Sequence, residues 1–322
     1  MSILVLNAAS LRKVLSYEEL LEAVEDAMLL YDSEDFIMPD RLHLDQGENT
    51  LLYMPSLSGE YSATKLVSVY PANPQKGLPA ILGTVILSSA QTGEALAIMD
   101  ASTLTALRTG AIAGVASRYT TPTDCAKLGV IGAGIQGIEG AISICTARPI
   151  TEVYVYNRSA PPALRFKERL GSLFPHIGIH LLSSSKEILR QSSIIFTATN
   201  SSEPVLPDEA SLLEGKHFIA IGSYKPTMRE WPDSLFPLLK TVYIDVHHGM
   251  KESGDLKLPI DKGWITPDQI ETLGKRISAQ QVDLATTTGF KSVGMALFDL
   301  AVARKAYQKA KEENLGVALP FP

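Results

Sequence analysis

Hydrophobic positions in the first third of the chain change period once. Leu20, Val24, Ala27, Met28 and Tyr31 recur at helical spacing. They follow Ser16-Tyr17-Glu18-Glu19, a capping box in which the Ser side chain takes an orphan amide and Glu19 reaches back. Pro39 and Gly47-Glu48-Asn49 break that pattern. Strand-like runs come next, at 51–54, 61–69, 80–87 and 95–99, with turn residues between them at Ser58-Gly59, 71–77 and Gln91-Thr92-Gly93. Turns this short predict a largely antiparallel sheet. Residues 102–119 read as a helix in which Gly110, Ala113, Gly114 and Ser117 recur at spacings of three and four. A face that small can lie close to another backbone, and we read this helix as the passage between two domains.

From Lys127 the pattern becomes strand, helix, strand, helix, the signature of a parallel sheet with crossover helices. Candidate strands lie at 128–131, 153–156, 179–182, 194–198, 218–221 and 242–244, six in all, which is the size of one doubly wound domain. A last helix over 293–311 puts Val293, Leu297, Leu300, Ala301 and Arg304 on one stripe. Packed back on the first domain, it makes that domain discontinuous. The expected fold class is α/β: a Rossmann-type doubly wound parallel sheet domain at 116–292, and a discontinuous α+β domain formed by 1–115 with 293–322.

Composition narrows the function. At 322 residues the chain is roughly twice the ~150 of an average domain. Twenty-nine Lys and Arg against 35 Asp and Glu leave a net charge of −6, which argues against a nucleic-acid-binding face. No apolar run approaches the ~20 residues of a membrane helix. The first residues, Met1 to Asn7, lack the basic start and long apolar stretch of a signal peptide, so a cytoplasmic protein is expected. Cys125 and Cys145 read as buried, reduced thiols.

Gly132-Ala133-Gly134-Ile135-Gln136-Gly137 follows a predicted strand and opens a predicted helix. The first glycine permits the tight turn, the second lets backbone approach a pyrophosphate, and the third lets helix and strand pack closely. Helix N-terminal amides then hold the anion. The next strand ends Tyr156-Asn157-Arg158-Ser159, without the carboxylate that would bond a ribose 2′-OH. Arg158 supplies a planar cation suited to a 2′-phosphate, with Asn157 and Ser159 as neutral donors. This predicts NADP(H) in preference to NAD(H).

Six histidines, including His247-His248, show no metal-ligand spacing, and no metal is expected. Lys65 shares a strand face with Ala63, Val67 and Val69. A lysine there is either functional, with a pKa lowered by burial, or a sheet-edge lysine that reaches water. Arg108 lies on the small-residue helix and Arg41 in a loop after Pro39-Asp40. By themselves both are ordinary arginines.

With those residues in view, the chain resembles the ornithine cyclodeaminase/mu-crystallin family over nearly its whole length. The matching stretches are Thr64-Lys65-Leu66-Val67, Pro71-Ala72-Asn73, Thr92-Gly93-Glu94, Leu104-Thr105-Ala106-Leu107-Arg108-Thr109-Gly110-Ala111 and the Gly132 motif. Later ones are Gly222-Ser223-Tyr224-Lys225-Pro226, Glu252-Ser253-Gly254-Asp255-Leu256 and Phe290-Lys291-Ser292-Val293-Gly294. The resemblance implies a homodimer joined through the N-terminal sheet, with substrate between the two domains. It implies that Arg41, Lys65 and Arg108 bind the carboxylate and imine or amine of an amino-acid-like substrate, with Lys65 catalytic. Cofactor contacts carried over by position are Thr84, Thr109, Gln136, Asn157, Arg158, Ser159, Thr197, Ala198, Thr199, Ser223 and Val293, beside Gly132, Gly134 and Ile135 of the motif.

Cyclodeaminases and archaeal alanine dehydrogenases of the family carry an Asp where this chain has Tyr224. A phenol of pKa ~10 is a poor base at neutral pH. The form Gly-Ser-Tyr-Lys-Pro instead resembles the branch of pyrroline-2-carboxylate and ketimine reductases. The expected activity is therefore NADPH-dependent reduction of a small cyclic imino acid, delta-1-pyrroline-2-carboxylate going to L-proline. Alternatives are an NAD-dependent ornithine cyclodeaminase, an alanine dehydrogenase-like enzyme, and a mu-crystallin-like binding protein. Two stretches depart from the family pattern, Val246-His247-His248-Gly249-Met250-Lys251 and Ala285-Thr286-Thr287-Thr288-Gly289.

Overall fold

The chain opens with a strand, β1 (Ser2–Leu6), in the computed structural model, which describes residues 2–279 and 286–320. Asn7 accepts from the Ser10 amide and starts α1 (Ala8–Val14). In α2 (Tyr17–Ser33) the capping box is formed: Ser16 N–H donates to Glu19 Oε2 at 2.9 Å, and Glu19 N–H to Ser16 Oγ at 3.3 Å. Next come β2 (Leu42–Gln46), β3 (Asn49–Ser58), β4 (Tyr61–Val69), β5 (Ile81–Ser89), β6 (Ala95–Asp100) and α3 (Ala101–Thr120). The alternating part runs β7 (Lys127–Ile131), α4 (Ile135–Ala147), β8 (Glu152–Tyr156), α5 (Ala160–Leu173), β9 (Gly178–Leu181), α6 (Ser185–Gln191), β10 (Ile194–Thr197), α7 (Ala210–Leu213) and β11 (His217–Ala220). It continues through β12 (Val242–Ile244), α8 (Gly249–Glu252), α9 (Gly254–Asp261), β13 (Ile270–Thr272), α10 (Leu273–Ala279) and β14 (Thr288–Lys291). The chain then closes with α11 (Ala296–Glu312) and β15 (Val317–Pro320).

These elements form two compact units, residues 1–108 with 295–322, and residues 109–294. The first holds a seven-stranded sheet in the order β15-β1-β6-β5-β4-β3-β2, antiparallel except for β1 beside β6. Its register sets Met54, Lys65 and Val85 side by side. That face, with Ala63 and Leu87, is buried, and α11 packs on it, with α2 packed against α11. On the opposite face Leu42, Leu44, Leu66, Leu82 and Ile86 are exposed. The discontinuous α+β domain is therefore present. Its last helix starts later than the stripe predicts, because Gly294 takes φ +77° and Met295 is the N-cap.

The second unit is an eight-stranded sheet, entirely parallel, in the order β13-β12-β14-β11-β10-β7-β8-β9. This corrects the expected six strands. β14 carries Thr288, Gly289 and Lys291, has no apolar run, and becomes a strand only because β11 and β12 flank it. From the central β7 the chain proceeds outward to β8 and β9 on one side and β10 and β11 on the other, the doubly wound arrangement. The small-residue helix behaves as its spacing suggests: a Cβ at Gly110 would come within 2.6 Å of the Glu139 backbone, so α3 lies against α4. Among the described residues no helix is long and apolar enough to cross a membrane.

Candidate functional site

In the first unit, β4, α3 and α11 bring three charges together. Lys65 Nζ lies 2.7 Å from Asp299 Oδ2, and Arg108 Nε donates to Asp299 Oδ1 at 3.1 Å. All three side chains are buried, at 3%, 7% and 1% exposure for Lys65, Arg108 and Asp299. Lys65 is therefore not an edge lysine reaching water. Burial pulls Lys65 down to about 8; Asp299 opposes this, while Arg108 and Arg41 reinforce it. Burial alone would raise Asp299, but Arg108 and Lys65 outweigh it and hold the carboxyl below its usual range. Asp299 also sits in the first turn of α11, where the helix dipole favours an anion. Arg41 is half-buried and close enough for its charge to act on Lys65. Sequence reading missed Asp299; the available signal was a lone acid within the apolar run 296–303.

Thr84 pairs with Leu66 and so belongs to the sheet face opposite Lys65. Thr109 is half-buried in α3, one residue after Arg108.

In the second unit the glycine-rich loop joins β7 to α4. Gly132 takes φ +99°, and its N–H donates to Tyr156 O at 3.0 Å. A Cβ at Gly137 would stand 1.8 Å from Gly132 O, so helix and turn touch directly. Gly134 is the N-cap of α4, with nothing within 4 Å of where its Cβ would be. Ile135 is 67% exposed beside it. Gln136 Oε1 and, at the end of β10, Thr197 Oγ1 are buried without a hydrogen-bond partner. A loop with an open side, a helix N-terminus and two orphaned polar atoms fits a dinucleotide. Gly137→Ala is expected to weaken dinucleotide binding at least about tenfold in a calorimetric titration, because the loop must shift to clear that contact.

The other predicted cofactor residues are distributed around the same strand ends. Asn157 Oδ1 accepts from Ala133 N–H at 3.0 Å, while its Nδ2 donates to Ser159 O and Oγ at 2.9 and 3.3 Å. Arg158 is exposed. Ala198 and Thr199 are half-buried after β10. Ser223 is fully buried, and its hydroxyl is engaged with Met228 O at 2.7 Å and Ser253 Oγ at 2.8 Å. Val293 sits in a turn gripped by Asp245, which accepts from Ser292 Oγ at 2.6 Å and Gly294 N–H at 2.8 Å. Tyr224 is 47% exposed. His248 lies 3.2 Å from Glu252, and Ala285 falls outside the described residues. Sequence reading also gave no role to Glu230, which is fully buried with Asp255 and Lys291.

The sequence profile described as "Ornithine cyclodeaminase/mu-crystallin family" matches residues 1–314. A Delta(1)-pyrroline-2-carboxylate reductase of Bacillus cereus is 34% identical over 327 aligned positions, covering 99% of this chain and 100% of its own. The structure of Thermococcus litoralis Delta(1)-pyrroline-2-carboxylate reductase in complex with NADH and L-proline superposes with a TM-score of 0.91 at 32% identity, covering 98% of this chain and 100% of that one. An archaeal alanine dehydrogenase dimer with bound NAD gives 0.90 at 29% identity over 100% of both chains.

These relatives overturn the expected preference for NADP(H), since they hold NADH and NAD. The physical reason lies at the end of β8. Asn157 Nδ2, one of the donors assigned to a 2′-phosphate, is instead spent on Ser159 within the loop. One exposed arginine serves equally well to stack on an adenine face. On fold, motif order and similarity along its length, the chain belongs to the ornithine cyclodeaminase/mu-crystallin family.

Proposed function

We propose that this protein reduces a cyclic ketimine carboxylate, delta-1-pyrroline-2-carboxylate, to L-proline, with NAD(H) as its cofactor. The observation that carries this reading is the buried Lys65–Asp299–Arg108 cluster. Two cations on one carboxylate leave net positive charge in a water-poor site, and Arg41 adds to it. That excess suits a substrate carboxylate, which Arg108 and Arg41 clamp by charge-assisted hydrogen bonds. Lys65, brought to about 8, is an ammonium at neutral pH that parts with a proton readily. It keeps the imine nitrogen protonated, which makes the neighbouring carbon more electrophilic. The step asks for an acid and not a base, so Tyr224 in place of a carboxylate is no handicap.

A bound dinucleotide supplies the hydride. Gly132, Gly134, Ile135 and Gln136 would hold its pyrophosphate at the start of α4. The adenosine would lie along Asn157, Arg158 and Ser159, and the nicotinamide by Thr197, Ala198, Thr199, Ser223 and Val293, with Thr109 in the same unit. The reductases at 34% and 32% identity support the substrate class, and the latter's NADH and L-proline support the cofactor and product. A homodimer is part of the same reading. The exposed apolar face of Leu42, Leu44, Leu66, Leu82 and Ile86 offers a second copy its surface, and the alanine dehydrogenase relative is a dimer.

The test is loss of NADH absorbance with delta-1-pyrroline-2-carboxylate, with ornithine plus NAD(+) beside it. L-proline formation, and no ammonia from ornithine, is the expected result. Ammonia release without imine reduction would replace this reading by a cyclodeaminase, and NADH binding without turnover of either by a binding protein. The pH profile adds a sign: kcat/KM for reduction should fall as pH rises through about 8, where Lys65 loses its proton, and proline oxidation should rise over the same range.

A further inference from the structure

We propose that Glu230 is a positioning residue whose buried carboxylate clips the chain after β10 to the chain after β11 and thereby shapes the nicotinamide half of the dinucleotide site. Glu230 Oε1 accepts from Thr199 N–H at 2.7 Å and Thr199 Oγ1 at 2.9 Å. Its Oε2 accepts from Gly222 N–H at 2.7 Å. One carboxylate thus holds the second residue beyond each of two adjacent parallel strands. The two segments are pressed together where they meet. A Cβ at Gly222 would stand 2.0 Å from Thr199 O and 2.6 Å from Glu230 Oε1, so only glycine allows the approach.

The clip is itself anchored. Asp255 Oδ1 accepts from the amides of Glu230 and Trp231 at 2.8 and 2.9 Å, fixing the backbone that carries the carboxylate. Lys291, at the end of β14, places Nζ 3.7 Å from Glu230 Oε2 and 3.6 Å from Asp255 Oδ2. Both carboxylate oxygens of Glu230 face donors and Lys291 lies nearby as a counter-charge, which opposes the burial that pushes this carboxyl above its usual range. A buried carboxylate without such partners would neutralise.

The position of the clip gives it a function beyond packing. In a doubly wound sheet the ligand lies across the carboxyl ends of the strands at the switch point. Here that point separates β7 and β8, whose ends take the pyrophosphate and adenosine, from β10 and β11. Among the described residues, the carboxylate of Glu230 hydrogen-bonds to the second half, at Thr199 and Gly222. This inference rests on the dinucleotide reading of the second unit, and its test separates the two.

Affinity for NADH and for ADP-ribose, which lacks the nicotinamide ring, is measured by calorimetry on wild-type protein, Glu230→Gln and Gly222→Ala. Glu230→Gln removes one acceptor and the charge, and Gly222→Ala forces the same two segments apart from the other side. Both variants are expected to bind NADH about tenfold more weakly while ADP-ribose affinity stays within twofold. Gly222→Ala keeps the proposal testable if Glu230→Gln does not fold, and equal losses of both ligands, or no loss of either, would overturn it. Wild-type protein that binds neither ligand would overturn the dinucleotide reading, and the clip with it.

Discussion

Lys65→Met is expected to lower kcat for imine reduction by about two orders of magnitude or more, the scale of a positioned proton donor, with NADH affinity unchanged. Methionine nearly matches the lysine stem in length and can occupy the same buried slot between β4 and α11, so the change removes charge and proton without opening a cavity. Loss of activity at unchanged cofactor affinity therefore reports on the chemistry. The alkaline limb at about 8 should vanish with the lysine, since no acid remains to titrate there. A loss under threefold, or a variant that keeps the limb, would remove Lys65 from the mechanism and give the proton to another group.

Asp299→Ala should cost about 3–5 kcal/mol of stability in urea melts, the range for breaking a buried ion pair by removing one partner. Lys65 and Arg108 would then face one another, both buried, with no anion between them. The sign of the pH dependence follows from Lys65. Its pKa in the folded state lies below that of an unfolded lysine, so between about 8 and the ordinary lysine value the unfolded chain binds more protons. Stability from this group accordingly rises with pH across that window and is lowest below it. Without Asp299, whose charge opposes the downward shift, the lysine drops further and the penalty at neutral pH grows. Adding Lys65→Met to Asp299→Ala should restore part of the loss, because one stranded cation is gone. A single variant that loses less than about 1 kcal/mol would mean that water reaches these charges and that the cluster is not the closed site described here.

Much of this architecture could be read residue by residue. The capping box at Ser16 and Glu19, the alternation in β4 and β5, and the loop Gly132 to Gly137 are all present where the pattern places them. Each depends on atoms within a few positions of one another, so local spacing is sufficient. Arg158 shows the opposite case. Its chemistry was legible, but whether a planar cation binds a phosphate or an adenine face depends on its neighbours, and Asn157 turned out to be spent on Ala133 and Ser159. β14 failed for a related reason: a short stretch with Gly289 and Lys291 has no strand pattern until partners enclose it on both sides.

The sequence by itself determined the parallel-sheet domain, its glycine-rich loop, the discontinuous partner domain and the family, because these reside in motifs and in periods of two and 3.6 residues. Only the tertiary structure decided what Lys65 is. Its face looked apolar, and the same pattern served an edge lysine that reaches water or a buried one. The choice was made by Asp299, which comes from the last helix and reaches Arg108 across 191 positions of the chain. Glu230 and Lys291 follow the same rule. A charge can stay in a water-free interior only where opposite charge and donors converge on it, and convergence from distant segments is a property of the fold that no local pattern contains.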